Sequence, residues 1–324
     1  MPEIVTLGEA MLRLSPPGAA RFEQATQLDV VVGGSEQSVA VGLARLGWDV
    51  AFVTKLPKNP LGRLIYNRTR EQGVDMRYVA WGEERAGLYF YEQGLAPRPS
   101  QVIYDRARSA ACGLQAKDVD WSAALTNCRL FHTSGITAAL SASCLTTVEH
   151  ALVRARKLGI PTSFDLNYRS RLWDEATAAK VYRRLLPRCT ILFASAPALG
   201  TFFDLTGSPQ EAAQACRTEF GCAVVVLTDR TEEGGLRGSM RALAVGEQTA
   251  ESASLDFDIV DRLGAGDAFA AGFLDGYLGG DLQRAVNQGT AMAAFKHTIP
   301  GEFCLIDRAE LDGFLAHGTR QVVR

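Results

Sequence analysis

Histidine is scarce in this chain and cysteine is scattered. Four histidines stand among 324 residues, none in H-E-x-x-H spacing, which argues against a histidine-based metal site. The seven cysteines, at 112, 128, 144, 189, 216, 222 and 304, include no C-x-x-C pair. They read as buried free thiols of a reducing compartment, and a zinc site is not expected. Charge of one sign is also lacking. The formal net charge is −2, so neither a nucleic acid nor a membrane surface is the expected partner. No segment reaches the ~18 uninterrupted apolar residues of a membrane span. The first ten residues lack the basic and apolar regions of a secretory signal, so a cytoplasmic protein is expected. Two nucleotide motifs are missing as well. There is no G-x-x-x-x-G-K-[ST], which excludes a P-loop. The turn at 264–266 lacks the third glycine of G-x-G-x-x-G and comes late in the chain, which argues against a dinucleotide fold.

What remains is the composition of a globular protein with a sizeable core, 47% hydrophobic and 22% charged. The length allows two average domains, or one large α/β domain with an elaboration. From residue 129 onward apolar strands alternate with helices: 130–133 then 142–158, 161–165 then 175–186, and 190–194 then 197–203. A helix over 209–220 then leads to a strand at 223–228. That rhythm predicts a mostly parallel sheet covered on both faces. The N-terminal part adds strands at 4–7 and 50–55, and helices at 36–46 and 61–72. Residues 11–32 and 86–107 break the rhythm. Both read as extended segments without helices, and we expect them to form a small β lid over the strand ends. Residues 94–100 and 229–240 read as loops.

The densest chemistry lies at Gly264-Ala265-Gly266-Asp267, between a strand-like segment at 253–260 and a helix at 268–278. Unpaired backbone N–H groups at a helix start make an anion hole, and glycines let a phosphate approach closely. Asp267 lies at its mouth, where a carboxylate can take a proton from an attacking hydroxyl. A capped glycine turn is the plain alternative. Gly33-Gly34-Ser35 allows close backbone approach to a small polar ligand, or is a tight turn before a packed helix. Arg106, after Tyr104-Asp105, is a clamp for a carboxylate or phosphate, or an ordinary surface arginine. Asp165, Asn167 and Arg169 alternate after an apolar strand and point one way if strand geometry persists; a polar turn has the same composition. Lys296 and His297 end a helix that starts near Leu282, where capping and the macrodipole explain them. His297 beside a nucleotide base is the functional alternative.

Together these stretches resemble the ribokinase-like (PfkB) family of sugar kinases. Gly33-Gly34-Ser35-Glu36 through Leu43-Ala44-Arg45-Leu46-Gly47 is similar to its N-terminal signature, and Gly264-Ala265-Gly266-Asp267 to its C-terminal one. Within the family the resemblance is closest to 2-keto-3-deoxygluconate kinases. It is carried by 87–94, 98–106, 164–169 with Leu172-Trp173, Asp261-Arg262 and 296–301. The resemblance implies an α/β fold over residues 1–324: a three-layer α/β/α sandwich with a mostly parallel central sheet and a β lid. It implies ATP and magnesium, with a monovalent cation as a further candidate. The implied reaction is phosphorylation of a small sugar acid, with Asp267 as base and residues 264–266 as the anion hole. Gly34, Ser35, Ser38, Tyr89, Tyr104, Arg106, Asn167 and Arg169 would face the sugar. Ser195, Thr228, Gly264, Gly266 and His297 would face the nucleotide. The resemblance further implies a homodimer through the lid. Two departures stand out. Ser38 replaces the family's usual Asn, and Ser195-Ala196-Pro197-Ala198 lacks the acidic residue of an Asn-x-x-Glu/Asp element that places magnesium. That loss predicts slowed transfer. The loop 228–235 is also irregular for the family. A kinase of fructose or a related neutral sugar, or a non-catalytic sugar-binding relative, are the alternatives.

Overall fold

The computed structural model describes residues 1–233 and 236–318. Its strands are β1 (Ile4–Leu7), β2 (Met11–Ser15), β3 (Asp29–Gly33), β4 (Val50–Pro57), β5 (Val79–Gly82), β6 (Gly87–Glu92) and β7 (Gln101–Asp105). Then follow β8 (Leu130–Ser134), β9 (Thr162–Asp165), β10 (Ile191–Ala194), β11 (Val224–Glu233), β12 (Arg237–Val245), β13 (Thr249–Glu251) and β14 (Leu255–Asp258). The main sheet runs β13-β12-β11-β10-β9-β8-β1-β4-β5, with β14 also on β12. All pairs from β5 to β11 are parallel, and the β12 pairs are antiparallel.

The sheet is covered on both faces because its strands are apolar on both. In β1, Ile4 enters one core cluster and Val5 the other, and Phe52 and Val53 of β4 divide in the same way. The helices Ser35–Arg45, Ala265–Leu278 and Leu282–His297 contribute to the first cluster, and the helix Ala142–Lys157 to the second. The helix Ala265–Leu278 is apolar nearly all round and therefore buried. Each of its Phe269 and Phe273 stabilises the fold by about 1.5–3 kcal/mol through burial.

The segments 11–32 and 86–107 do come together. They form a separate sheet ordered β3-β2-β6-β7, antiparallel at both ends and parallel at the β2–β6 centre. Within the first segment the expected long extended run is broken. Phe22–Gln24 is a 3-10 turn whose Phe22 N–H donates to the Glu92 carboxylate at 2.9 Å, and after β2 only Asp29–Gly33 is strand. The expected loop at 229–240 is instead an antiparallel arm, β11 with β12, paired out to Glu233–Arg237. Gly234 and Gly235 of that loop lie outside the described residues. The helix Arg308–His317 and strand β13 carry no counterpart in the sequence reading. The cysteines are free thiols, and all but Cys112 are buried. Among the described residues no helix is long and apolar enough to cross a membrane.

Candidate active site

The helix that starts the site begins earlier than its apolar spacing indicates, at Ala265, with Gly264 as its N-cap. Gly264 has φ +83°, in the left-handed region, and a Cβ there would run into the carbonyl oxygen of Glu302. Only glycine satisfies both conditions. The first amides of this helix have no partner within it, Ala265 is buried, and Gly266 is exposed with open space around its Cα. The amides thus face outward at the positive end of the helix dipole. Asp267 sits in that same first turn.

Three distant stretches meet at Asp267. Asn167 Nδ2 donates to Ser35 Oγ at 3.0 Å, and Ser35 Oγ donates to Asp267 Oδ1 at 2.6 Å. Gly34, before Ser35, is the N-cap of the helix Ser35–Arg45; a Cβ there would strike the carbonyl oxygen of Glu9. Burial pushes the Asp267 carboxyl up to about 7. Nearby Asp165 and Glu36 add to that shift, while the Ser35 bond and the Arg169 charge oppose it. Burial likewise pushes Asp165 up to about 6, against the Asn167 amide and Arg169. The convergence of 165–169 does not come from strand alternation. β9 stops at Asp165, and Asn167 adopts φ +36° with its N–H on Asp165 Oδ1 at 3.0 Å. A turn swings Asn167 onto Ser35. Arg169 is exposed and, among the described residues, makes no ion pair.

On the small-sheet side the arrangement differs from the sequence expectation. Arg106 is buried and donates twice to Glu9 Oε2, from Nε at 2.8 Å and from Nη2, so it is a neutralised cation here and not an open clamp. Ser109 Oγ donates to the same carboxylate at 2.6 Å. Tyr89 is buried with its hydroxyl on Glu302 Oε1. The Tyr104 ring, more exposed, lies 5.8 Å from it and 5.4 Å from the Arg106 guanidinium. Ser38 Oγ is buried without a hydrogen-bond partner among the described residues. The sequence reading missed Glu9, Glu36 and Glu302. Glu36 accepts from Ser134 Oγ at 2.7 Å and Thr137 Oγ1 at 2.6 Å, and burial raises its carboxyl. Glu9 had a visible signal, a carboxylate just past the carboxyl end of the first strand.

On the other side of Asp267 a cavity of about 410 Å³ is lined by Asp165, Asn167, Glu175, Ser195, Thr228 and Gly266, among others. Ser195 caps the helix Ala196–Phe203, and Ala198 adds an apolar patch where the resemblance calls for an acid. A second cavity, about 1010 Å³, lies between β12, β14 and the last two helices, with Phe257, Ala294, Phe295 and Phe314 in its walls. His297 does not reach it. Its ring is fully buried, donates from Nδ1 to the Ala293 carbonyl oxygen at 2.7 Å, and stacks on Phe257 at 4.0 Å. The histidine backs the wall behind Phe257, and burial holds its pKa down at about 4. Among the described residues no three His, Cys, Asp or Glu side chains form a metal cage.

A mostly parallel sheet, with a glycine-capped helix at its carboxyl edge and a carboxylate in that helix's first turn, is the frame of a sugar kinase of ribokinase-like fold. The chain belongs to the pfkB family of carbohydrate kinases, which it matches over residues 1–302. It is 36% identical to a 2-dehydro-3-deoxygalactonokinase of Haloferax volcanii, covering 99% of both chains. It is 29% identical to a 2-dehydro-3-deoxygluconokinase of Bacillus subtilis, over 97% of this chain and 95% of that one. The crystal structure of 2-dehydro-3-deoxygluconokinase from Thermotoga maritima superposes with a TM-score of 0.94 at 36% identity, covering 97% and 98% of the two chains. Membership in a kinase family sets aside the non-catalytic alternative.

Proposed function

We propose that this carbohydrate kinase transfers the terminal phosphoryl group of ATP to a hydroxyl of a small sugar acid. The substrate is 2-keto-3-deoxygluconate and the product its 6-phosphate. The observation that carries this reading is the chain Asn167–Ser35–Asp267, which ends on a carboxylate tuned to about 7 beside the outward amides of 264–266. A base that titrates near neutrality suits proton transfer at working pH. The sugar hydroxyl loses its proton to Asp267 as its oxygen forms the new P–O bond. The bond to the bridging oxygen of ADP breaks in the same displacement, and the 264–266 amides hold the phosphoryl oxygens.

The larger cavity suits an adenine between Phe257, Phe295 and Phe314, with the phosphates running toward Gly266 and Thr228. Magnesium is held by one or two carboxylates plus phosphate oxygens and needs no protein cage. Asp165 and Glu175, in the wall of the smaller cavity, are the carboxylates that fit it. Bound there, magnesium would neutralise phosphate charge. A monovalent-cation requirement is carried only by the resemblance. The curated relatives act on sugar acids, and Arg169 is the exposed cation facing Asp165 and Asp267.

One observation favours a second reading, a neutral sugar such as fructose: Arg106 is already satisfied by Glu9. Turnover of magnesium-ATP with 2-keto-3-deoxygluconate, its galactonate epimer, fructose, ribose and no sugar separates the two. We expect turnover with the keto acids. Turnover with fructose alone would overturn the sugar-acid assignment.

A further inference from the structure

Lys296, in the last turn of the helix Leu282–His297, is fully buried, yet the phosphoryl-transfer scheme above makes no use of it. A buried ammonium is strongly disfavoured unless acceptors and opposite charges surround it. Its Nζ donates to the carbonyl oxygens of Asp261 at 3.2 Å and Ile299 at 2.9 Å. These two carbonyls bracket the anion-hole turn. Asp261 leads into Gly264, and the segment after Ile299 passes beneath it, with the Glu302 carbonyl against Gly264. Asp261 is held on its other atoms too. Its Oδ2 accepts from Arg13 at 2.7 Å and from the Gly301 amide at 3.0 Å, and its Oδ1 accepts from the Leu263 amide at 3.1 Å.

Resting on the kinase reading above, we propose that Lys296 is a positioning residue for phosphoryl transfer. Its ammonium pins the two carbonyls so that the 264–266 amides stay converged, and its positive charge stands behind the anion hole as charge gathers on the transferring group. The groups that face it define its titration. Asp261, Cys304 and Asp267 favour the charged form, Arg13 opposes it, and burial outweighs them, bringing Lys296 down to about 8. His297 beside it is held neutral, and Glu302 lies 3.9 Å from Arg13. The ammonium is present below that value and lost above it, so turnover falls as pH rises through about 8.

The test compares the full-length wild type with Lys296→Met and Lys296→Ala. It reads kcat, KM, and the affinity for magnesium-ADP–aluminium fluoride, a mimic of the phosphoryl group in flight that needs no known sugar. Lys296→Met is expected to lower kcat about a hundredfold. It should weaken fluoroaluminate binding by a similar factor, leave KM for the sugar nearly unchanged, and remove the alkaline limb. Methylammonium should partly restore Lys296→Ala but not Lys296→Met, whose side chain fills the space. Wild-type fluoroaluminate affinity in Lys296→Met, or the same alkaline limb in both proteins, would overturn the proposal. So would a loss of kcat matched by equal losses in sugar affinity and melting temperature, since that marks a structural role. If no sugar turns over in the wild type, the substrate reading fails, and fluoroaluminate binding still decides Lys296. Should neither variant fold, a wild-type profile flat from pH 7 to 9 sinks the idea.

Discussion

Asp267 is a carboxylate placed where its ionised form is useful and its burial is costly. Burial raises it to about 7, and the Ser35 hydroxyl partly offsets that rise. The group is a base only when ionised, so kcat/KM should rise as pH passes upward through about 7. Asp267→Asn removes the acceptor and should lower turnover by on the order of 10²–10⁴ while sugar binding persists. A pH–rate profile on the wild type, with calorimetric sugar binding to the variant, checks both. An unshifted acid limb near 4, or full turnover in the variant, would exclude Asp267 as base. Much of this residue's setting was legible in the chain, because glycines before an acid at a helix start are a local pattern. The partner that tunes it was not. Ser35 lies 232 positions away, and nothing near Asp267 points to it.

At the scale of elements, the parallel strands were readable because each is an apolar run buried on both faces. The β11–β12 arm was not. In β11 beyond Thr228 residues such as Asp229, Arg230 and Thr231 are polar and exposed, so no alternation marks that part of the arm as strand. Yet β12, with β14 and the helices Leu282–His297 and Arg308–His317, encloses the 1010 Å³ cavity assigned to the nucleotide. Gly313 lines that cavity, and a Cβ there meets nothing within 4 Å. Gly313→Phe should therefore fold normally and fill the trough, raising KM for ATP about tenfold or more with little change in KM for the sugar. Unaltered ATP kinetics would place the base elsewhere.

At the scale of the whole molecule, the small sheet is tied to the phosphate turn by charge. Arg13 of β2 bonds Asp261, and Tyr89 of β6 bonds Glu302, so its position and the shape of the anion hole are mechanically linked. Its edge strands β3 and β7 expose apolar side chains, Val30 at 52% and Ile103 at 55%. A bare apolar sheet edge invites pairing, and we propose that a second copy of the chain covers it. Light scattering should show a dimer for the wild type and a monomer for Ile103→Lys; a monomeric wild type would remove the proposal.

The sequence by itself determined the layered α/β architecture, the pairing of 11–32 with 86–107, and the glycine turn with its acid at 264–267. Each of these rests on local periodicity or on residues adjacent in the chain. Only the tertiary structure decided which charges are free. Arg106, expected to meet a substrate carboxylate, is spent on Glu9, and His297 is walled in behind Phe257. Lys296, read as a helix cap, is buried with its ammonium on the Asp261 and Ile299 carbonyls. Burial and charge pairing are set by neighbours far apart in the chain. A residue's type states what it can donate or accept, and only packing states whether another group has already taken it.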